Sequence, residues 1–101
     1  MFSLEYADEG ARRAWLDLKR SAPVRWAEAA RILSERPTTP SVRCFPFATD
    51  TLRAKEFKRK RYPQWVYVVS NSAQVYYLVD ADRRIVFLRR VEYREFRGIM
   101  V

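Results

Sequence analysis

The spacing of apolar residues changes character twice along the chain. Phe2, Leu4 and Tyr6 alternate with Ser3 and Glu5, which predicts a short strand with Phe2, Leu4 and Tyr6 on its buried side. From residue 8 the period becomes helical. Ala11, Ala14, Trp15 and Leu18 form one stripe, opposite Arg12, Arg13, Asp17 and Lys19. Asp8 suits the N-cap, because its carboxylate accepts a backbone N–H that has no partner within the helix, and Glu9 puts negative charge in the first turn. Trp26, Ala29, Ala30 and Leu33 mark a second helix. Ser21 is expected to cap it, with Pro23 in its first turn and Pro37 and Pro40 ending it. A very short turn near Ala22 makes the pair a helical hairpin.

Residues 38–54 lose periodicity, and Pro46 interrupts their apolar positions. They predict a loop packed on the core, with a short strand near 52–57. From Trp65 onward β-formers dominate. "QWVYVVS", "VYYLVD" and "RIVFLRRVEY" are three runs separated by the turn sequences "NSAQ" and "DADRR". Connections that short imply an antiparallel meander. The fold class is therefore α+β: an N-terminal strand, then a helical hairpin packed on one face of an antiparallel β-meander, as a single domain over residues 1–101.

Composition narrows the function. In 101 residues, 49% hydrophobic, one core is feasible, built around Trp15, Trp26 and Trp65. Strand alternation assigns Trp65, Tyr67, Tyr77 and Phe87 to it. Twenty Lys and Arg against twelve Asp and Glu give a net charge of +8, with Arg in the majority. RNA, DNA, an acidic protein and a membrane surface are all anionic partners for such a chain, and the planar guanidinium fork favours phosphate. The absence of His excludes Ser–His and Cys–His nucleophiles and His-bound metals. Cys44 is the single cysteine, so an intramolecular disulfide is excluded, and it is expected to be an inert buried residue. Acidic residues are scattered and no Gly-rich phosphate loop is present, so neither a metal nor another cofactor is expected. No run has the length of a membrane span, and the N-terminal residues lack the pattern of a signal peptide, which makes a cytoplasmic protein the expectation.

Such a composition still permits RNA cleavage. The 2′-hydroxyl attacks its own phosphate, so the protein need only align the backbone, move protons and neutralise charge. The basic residues form three groups. Lys55, Lys58, Arg59, Lys60 and Arg61 are the first, and Arg83 and Arg84 the second. The third is Arg89, Arg90, Arg94 and Arg97, interleaved with Tyr93 and Phe96. If the last strand continues beyond residue 90, Arg90 and Arg94 share a face with Glu92 between them. The order of strands allows the first and third groups to meet at one end of the sheet, and the sequence leaves open whether they do. Plainer readings compete: residues 58–61 as a solvated loop, and Glu92 and Glu95 as ion-pair partners of nearby arginines.

"FSLEYADEGARRAWLDL", the helical hairpin and "WVYVVSNSAQVYYLVDADRRIVFLRRVEYREF" together resemble the RelE/ParE superfamily of bacterial toxins over nearly the whole chain. The most telling part is "VYYLVDADRRIVFLRRVEYREF", a strand ending in "VD", a tight turn, a strand and a basic tail with "REF". The resemblance implies two N-terminal helices on an antiparallel sheet. It also implies a type II toxin–antitoxin system, in which a cognate antitoxin wraps the toxin and is its only route to operator DNA. RelE-like members cleave messenger RNA in the ribosomal A site, and ParE-like members inhibit DNA gyrase. RelE-type nucleases carry lysines on the second strand and an arginine at the start of the third, whereas "WVYVV" and "VYYLV" contain neither. Three readings follow: a ribosome-dependent endoribonuclease, a non-nuclease gyrase inhibitor, or a catalytically degenerate toxin-fold protein acting in an antitoxin repressor complex. Arg94, before Glu95, matches the family's C-terminal arginine near the scissile phosphate. "GIMV" after Arg97 lacks the family's C-terminal tyrosine, for which Tyr93 is the substitute. In the nuclease reading Lys55, Lys58, Arg59, Lys60, Arg61, Arg89 and Arg97 hold RNA. Arg90 and Arg94 stabilise the scissile phosphate, and Tyr93 or Glu92 assists proton transfer.

Overall fold

The computed structural model describes residues 1–46, 54–58 and 60–93, with the backbone alone at 54–56. Strand β1 (Ser3–Tyr6) leads into helix α1 (Glu9–Ser21). The Asp8 carboxylate accepts the Ala11 N–H at 2.8 Å, as its position in the sequence requires. Ala11, Trp15 and Leu18 are buried, and Glu9–Arg12 and Asp17–Arg20 ion pairs lie on exposed positions. Ala22 both ends α1 and precedes α2 (Pro23–Glu35), so one residue makes the turn. The sequence predicts Ser21 as the cap of α2. Its hydroxyl instead donates to the Asp17 carbonyl at 3.0 Å, because Ser21 still belongs to the last turn of α1. With Pro23 at its start, α2 has one fewer N–H to satisfy and begins without a side-chain cap.

Five strands follow: β2 (Cys44–Pro46), β3 (Ala54–Phe57), β4 (Lys60–Ser70), β5 (Ala73–Asp80) and β6 (Ile85–Tyr93). The sheet order is β1-β6-β5-β4-β2, with β3 paired to the start of β4. β4, β5 and β6 are the predicted antiparallel meander, and β1 joins β6 in parallel, so the sheet is mixed. β2 corrects the loop predicted over residues 38–54. Cys44, Phe45 and Pro46 pair with Tyr67, Val66 and Trp65, and Pro46 is tolerated because β2 is an edge strand.

Both helices lie on one face, α1 over β6 and α2 over β4. There Trp15, Leu18, Ala29 and Leu33 pack against Tyr67, Val75, Tyr77, Val86 and Leu88. Tyr77 has no exposed surface, and its hydroxyl donates to the Pro37 carbonyl at 2.6 Å, tying the segment after α2 to the sheet. Burial pushes its phenol pKa upward. Cys44 is buried beside it, and desolvation pushes the thiol pKa up, which suits an inert residue. Phe2 and Leu4 pack on this core as predicted, but Tyr6, at the end of the edge strand, is 40% exposed. A second cluster occupies the other face, which neither α1 nor α2 covers, here called the helix-free face among the described residues. Tyr62, Leu78 and Phe87 are buried there, and Phe57 from β3 packs on Phe87 with ring centroids 5.0 Å apart.

Candidate nucleic-acid interface

Strand alternation sorts the residues of β5. Val75, Tyr77 and Val79 face the helices, so Gln74, Tyr76 and Leu78 face away. On β6, Val86 and Leu88 are the inward pair, and Ile85 and Phe87 belong to the opposite cluster. Register then slips. Tyr77 pairs with Leu88 but Tyr76 pairs with Arg90, leaving Arg89 as an extra residue in a β-bulge. The slip returns Val91 to the helix side and brings two consecutive arginines to the helix-free face.

Their contacts show the result. Arg89 Nη1 donates to Oε1 of the buried Gln64 at 3.2 Å. The Arg90 guanidinium lies 5.8 Å from the Tyr76 ring centroid and donates to Glu92 Oε2 at 2.5 Å. The Tyr76 hydroxyl donates to Glu92 Oε1 at 3.0 Å, with Gln74 Oε1 3.4 Å away. Arg90 keeps 68% of its side chain exposed despite the ion pair. The face thus presents two guanidinium groups, a carboxylate and a phenol within one patch. Guanidinium forks suit phosphate oxygens, and the carboxylate and phenol are groups that exchange protons.

Arg89, Arg90 and Glu92 are therefore brought together. Tyr93 is not: it pairs with Ala73, whose side chain is buried on the helix side, and is itself 52% exposed. Arg59, Arg94 and Arg97, with Glu95 and Phe96, lie outside the described residues. Lys58, Lys60 and Arg61 are exposed around the β3–β4 hairpin, and Lys55 pairs with Tyr62 within it. The sequence leaves open whether this group meets the C-terminal arginines, and the register fixes the distance from Lys60 to Arg90. Arg90 aligns through Tyr76 with Val66, and Lys60 lies six residues further along β4. At about 3.3 Å per residue the separation is about 20 Å.

What joins the hairpin is the second basic group. Lys60 and Arg61 share a cleft with Asp80 and Asp82, beside the turn that carries Arg83 and Arg84. Asp80 accepts from Arg83 Nε at 2.8 Å and from the Arg83 N–H at 3.1 Å. These bonds, with a smaller contribution from Lys60, hold its carboxyl below the usual carboxylate range. Lys58 and Arg84 both adopt left-handed backbone conformations, with φ of 52° and 56°, where a side chain is sterically disfavoured.

Charge is divided along the chain. Residues 1–35 hold six basic and six acidic residues, whereas residues 36–101 hold fourteen basic against six acidic, so the whole net +8 belongs to the latter. Helical arginines are matched locally, as in Arg12–Glu9, Arg25–Glu28 and Arg31–Glu35. Among the described residues no group of His, Cys, Asp and Glu is arranged to hold a metal, and no helix is long and apolar enough to cross a membrane.

Gln64 and Tyr76 are site residues that sequence reasoning missed. Tyr76 is out of phase with the buried Val75, Tyr77 and Val79, which already places it on the other face. The bulge also had a signal, because the apolar phase shifts from Val86 and Leu88 to Val91 across the two arginines.

No family model matches the chain, and no curated protein matches it by sequence. Solved structures do. A chain of the archaeal RelE–RelB complex from Pyrococcus horikoshii OT3 is similar at 13% identity and a TM-score of 0.63, with 92% of this chain and 94% of that chain covered. A chain of the RelBE2 toxin–antitoxin complex from Mycobacterium tuberculosis is similar at 17% identity and a TM-score of 0.50, with 92% and 98% covered. With its helical hairpin on one face of a mixed sheet, this chain has the RelE-like toxin fold.

Proposed function

We propose that this protein is the toxin of a type II toxin–antitoxin system, acting as a ribosome-dependent messenger RNA endoribonuclease and neutralised by a cognate antitoxin. The observation that carries this reading is the fold, which is similar to chains of a RelE–RelB complex and of a RelBE2 toxin–antitoxin complex. The helix-free face supports the nuclease branch. Arg89 and Arg90 there suit a phosphate, Glu92 suits a proton acceptor, and Arg94 follows two residues later in sequence. Lys55, Lys58, Arg59, Lys60 and Arg61, with Arg97, hold ribosomal or messenger RNA phosphates. A chain whose strand half carries the entire net charge is suited to a large RNA surface, and its binding should weaken steeply with salt. The ribosome places this activity in the cytoplasm. Operator DNA is reached only through the antitoxin.

The test is a translating extract with the purified protein. New cuts within codons of translated messages are expected, abolished by Arg94→Ala or by adding the antitoxin. An uncut message, or full activity of Arg94→Ala, overturns the reading. One observation favours a ParE-like alternative: no Lys or Arg occurs from Gln64 to Asp80, across most of β4 and all of β5. Inhibition of purified DNA gyrase in a supercoiling assay, without cuts in the extract, identifies that case.

A further inference from the structure

We infer that Tyr76 is the proton donor to the leaving oxygen in this RNA cleavage, working as a pair with Glu92 as the base; the inference rests on the nuclease reading above. Several tyrosines lie in or beside the meander, and position selects among them. Tyr67 and Tyr77 are buried under the helices, with Tyr77 already donating to the Pro37 carbonyl. Tyr62 is buried in the second cluster, under Phe57 and Phe87. Tyr93 faces away from Glu92 by strand alternation. Tyr76 is half-buried on the face that carries Arg89 and Arg90, and its hydroxyl donates to Glu92 at 3.0 Å.

The chemistry that this pair supports is balanced. Glu92 takes the proton of the 2′-hydroxyl as the 2′-oxygen bonds to phosphorus. The bond from phosphorus to the 5′-oxygen breaks, and that oxygen takes the Tyr76 hydroxyl proton. The phenolate then recovers the proton that Glu92 collected, across the hydrogen bond already present. The products are a 2′,3′-cyclic phosphate and a 5′-hydroxyl, and the protein regains its starting protonation. Arg90 has two parts in this. Its bond to Glu92 Oε2 fixes the carboxylate, and its positive charge near the Tyr76 ring favours the anion that proton donation leaves behind. Arg89, held by Gln64, is placed for the phosphate oxygens.

The experiment first maps the wild-type cut in a translating extract. A synthetic message is then made with sulfur in place of the 5′-oxygen at the mapped bond, since a thiolate leaves without a proton. On the oxygen message Tyr76→Phe is expected to cut about 100-fold or more slowly, with ribosome binding unchanged, and on the sulfur message at close to the wild-type rate. Glu92→Gln is expected to lose both, because the 2′-hydroxyl must be deprotonated in either case. Tyr76→Phe cutting the oxygen message within about threefold of wild type overturns the inference, and so does an equal loss on both messages, which marks a positioning role. Should Tyr76→Phe fail to fold, Glu92→Gln decides: full cutting by that variant overturns the pair. Absence of any wild-type cut removes the nuclease reading and the inference with it, whereas wild-type cutting with an indifferent Tyr76→Phe removes the inference alone.

Discussion

Tyr76 and Tyr77 are adjacent in the chain and lie on opposite faces of one sheet. Tyr77 is fully buried beneath the helices, where its hydroxyl donates to the Pro37 carbonyl and lies 3.1 Å from Cys44 Sγ. Tyr76 sits under the Arg90 guanidinium, bonded to Glu92, on the face that neither α1 nor α2 covers. The same phenol is a structural pin on one side and, in the proposed cleavage, a proton donor on the other. Residue type therefore says little about role in this fold, and the parity of the strand position says a great deal. The bulge at Arg89 matters for the same reason. In an unbroken β6, Arg89 and Arg90 would point to opposite faces, and one of them would enter the core.

The contrast between the faces is broken most severely from the covered side. Leu88→Ala empties a fully buried position, and a destabilisation of about 2–5 kcal/mol is expected in urea titrations. Arg90→Ala, two positions on, should stay within about 0.5 kcal/mol of wild type, since its ion pair is exposed on one side. Equal losses for the two variants would mean that the helix-free face is as much core as the covered one.

The two tyrosines give a smaller and sharper comparison. Tyr77→Phe removes the buried hydroxyl that bonds the Pro37 carbonyl and contacts Cys44 Sγ, and a loss of about 1–3 kcal/mol is expected. Tyr76→Phe removes a bond on a half-buried face, where water can replace the hydroxyl, so its stability cost should be the lesser of the two. Thermal or urea unfolding of both variants checks the order. A larger cost for Tyr76→Phe would reassign Tyr76 to structure.

Acid sharpens the comparison at the far end of the sheet. Bonds from Arg83 depress the Asp80 carboxyl in the folded state, so Asp80 binds its proton more weakly there than when unfolded. Its contribution to stability is present above the unfolded carboxylate value and is lost as pH falls through the depressed folded one. Asp80→Asn should therefore lower the melting temperature at neutral pH and narrow the difference from wild type as pH falls below about 4. A constant difference from pH 7 downward would remove the Asp80–Arg83 bond from the list of stabilising contacts.

Much of the fold was legible because its signals are local. The Asp8 cap, the Trp15 stripe, the turn at Ala22 and the meander each depend on a few neighbouring residues. β2 was missed because Pro46 breaks its pattern, and a three-residue edge strand is fixed by its partner β4 rather than by its own sequence. The site was legible in part. Arg90 and Glu92 share a face by simple alternation, and both were read from sequence. Tyr76 required knowing that β5 lies beside β6 in a particular register, and the meeting of Arg89 and Arg90 on one face required the bulge. How far Lys60 lies from Arg90 was not legible for the same reason. Strand order can be guessed from short turns, but position along the strands depends on register, and here it sets Lys60 about 20 Å from Arg90.

The smallest effect tests the division of charge. Arg31 and Glu35 pair at 3.2 Å on the exposed side of α2, with the basic residue N-terminal, which is the weaker orientation against the helix dipole. Arg31→Ala should cost no more than about 0.5 kcal/mol in stability. It should also leave the salt dependence of RNA binding unchanged, because residues 1–35 are neutral as a unit and their arginines are already matched. Arg89→Ala and Arg90→Ala should each lower the slope of log affinity against log salt by about 1, as expected when a phosphate contact is lost. The two measurements use the same residue type and the same change of charge, so the net charge of the protein falls equally in both. A general electrostatic attraction would respond to both alike. Only a surface that uses particular arginines distinguishes them, and an Arg31→Ala slope as shallow as that of Arg90→Ala would show that RNA is held by the charge of the whole protein rather than by the helix-free face.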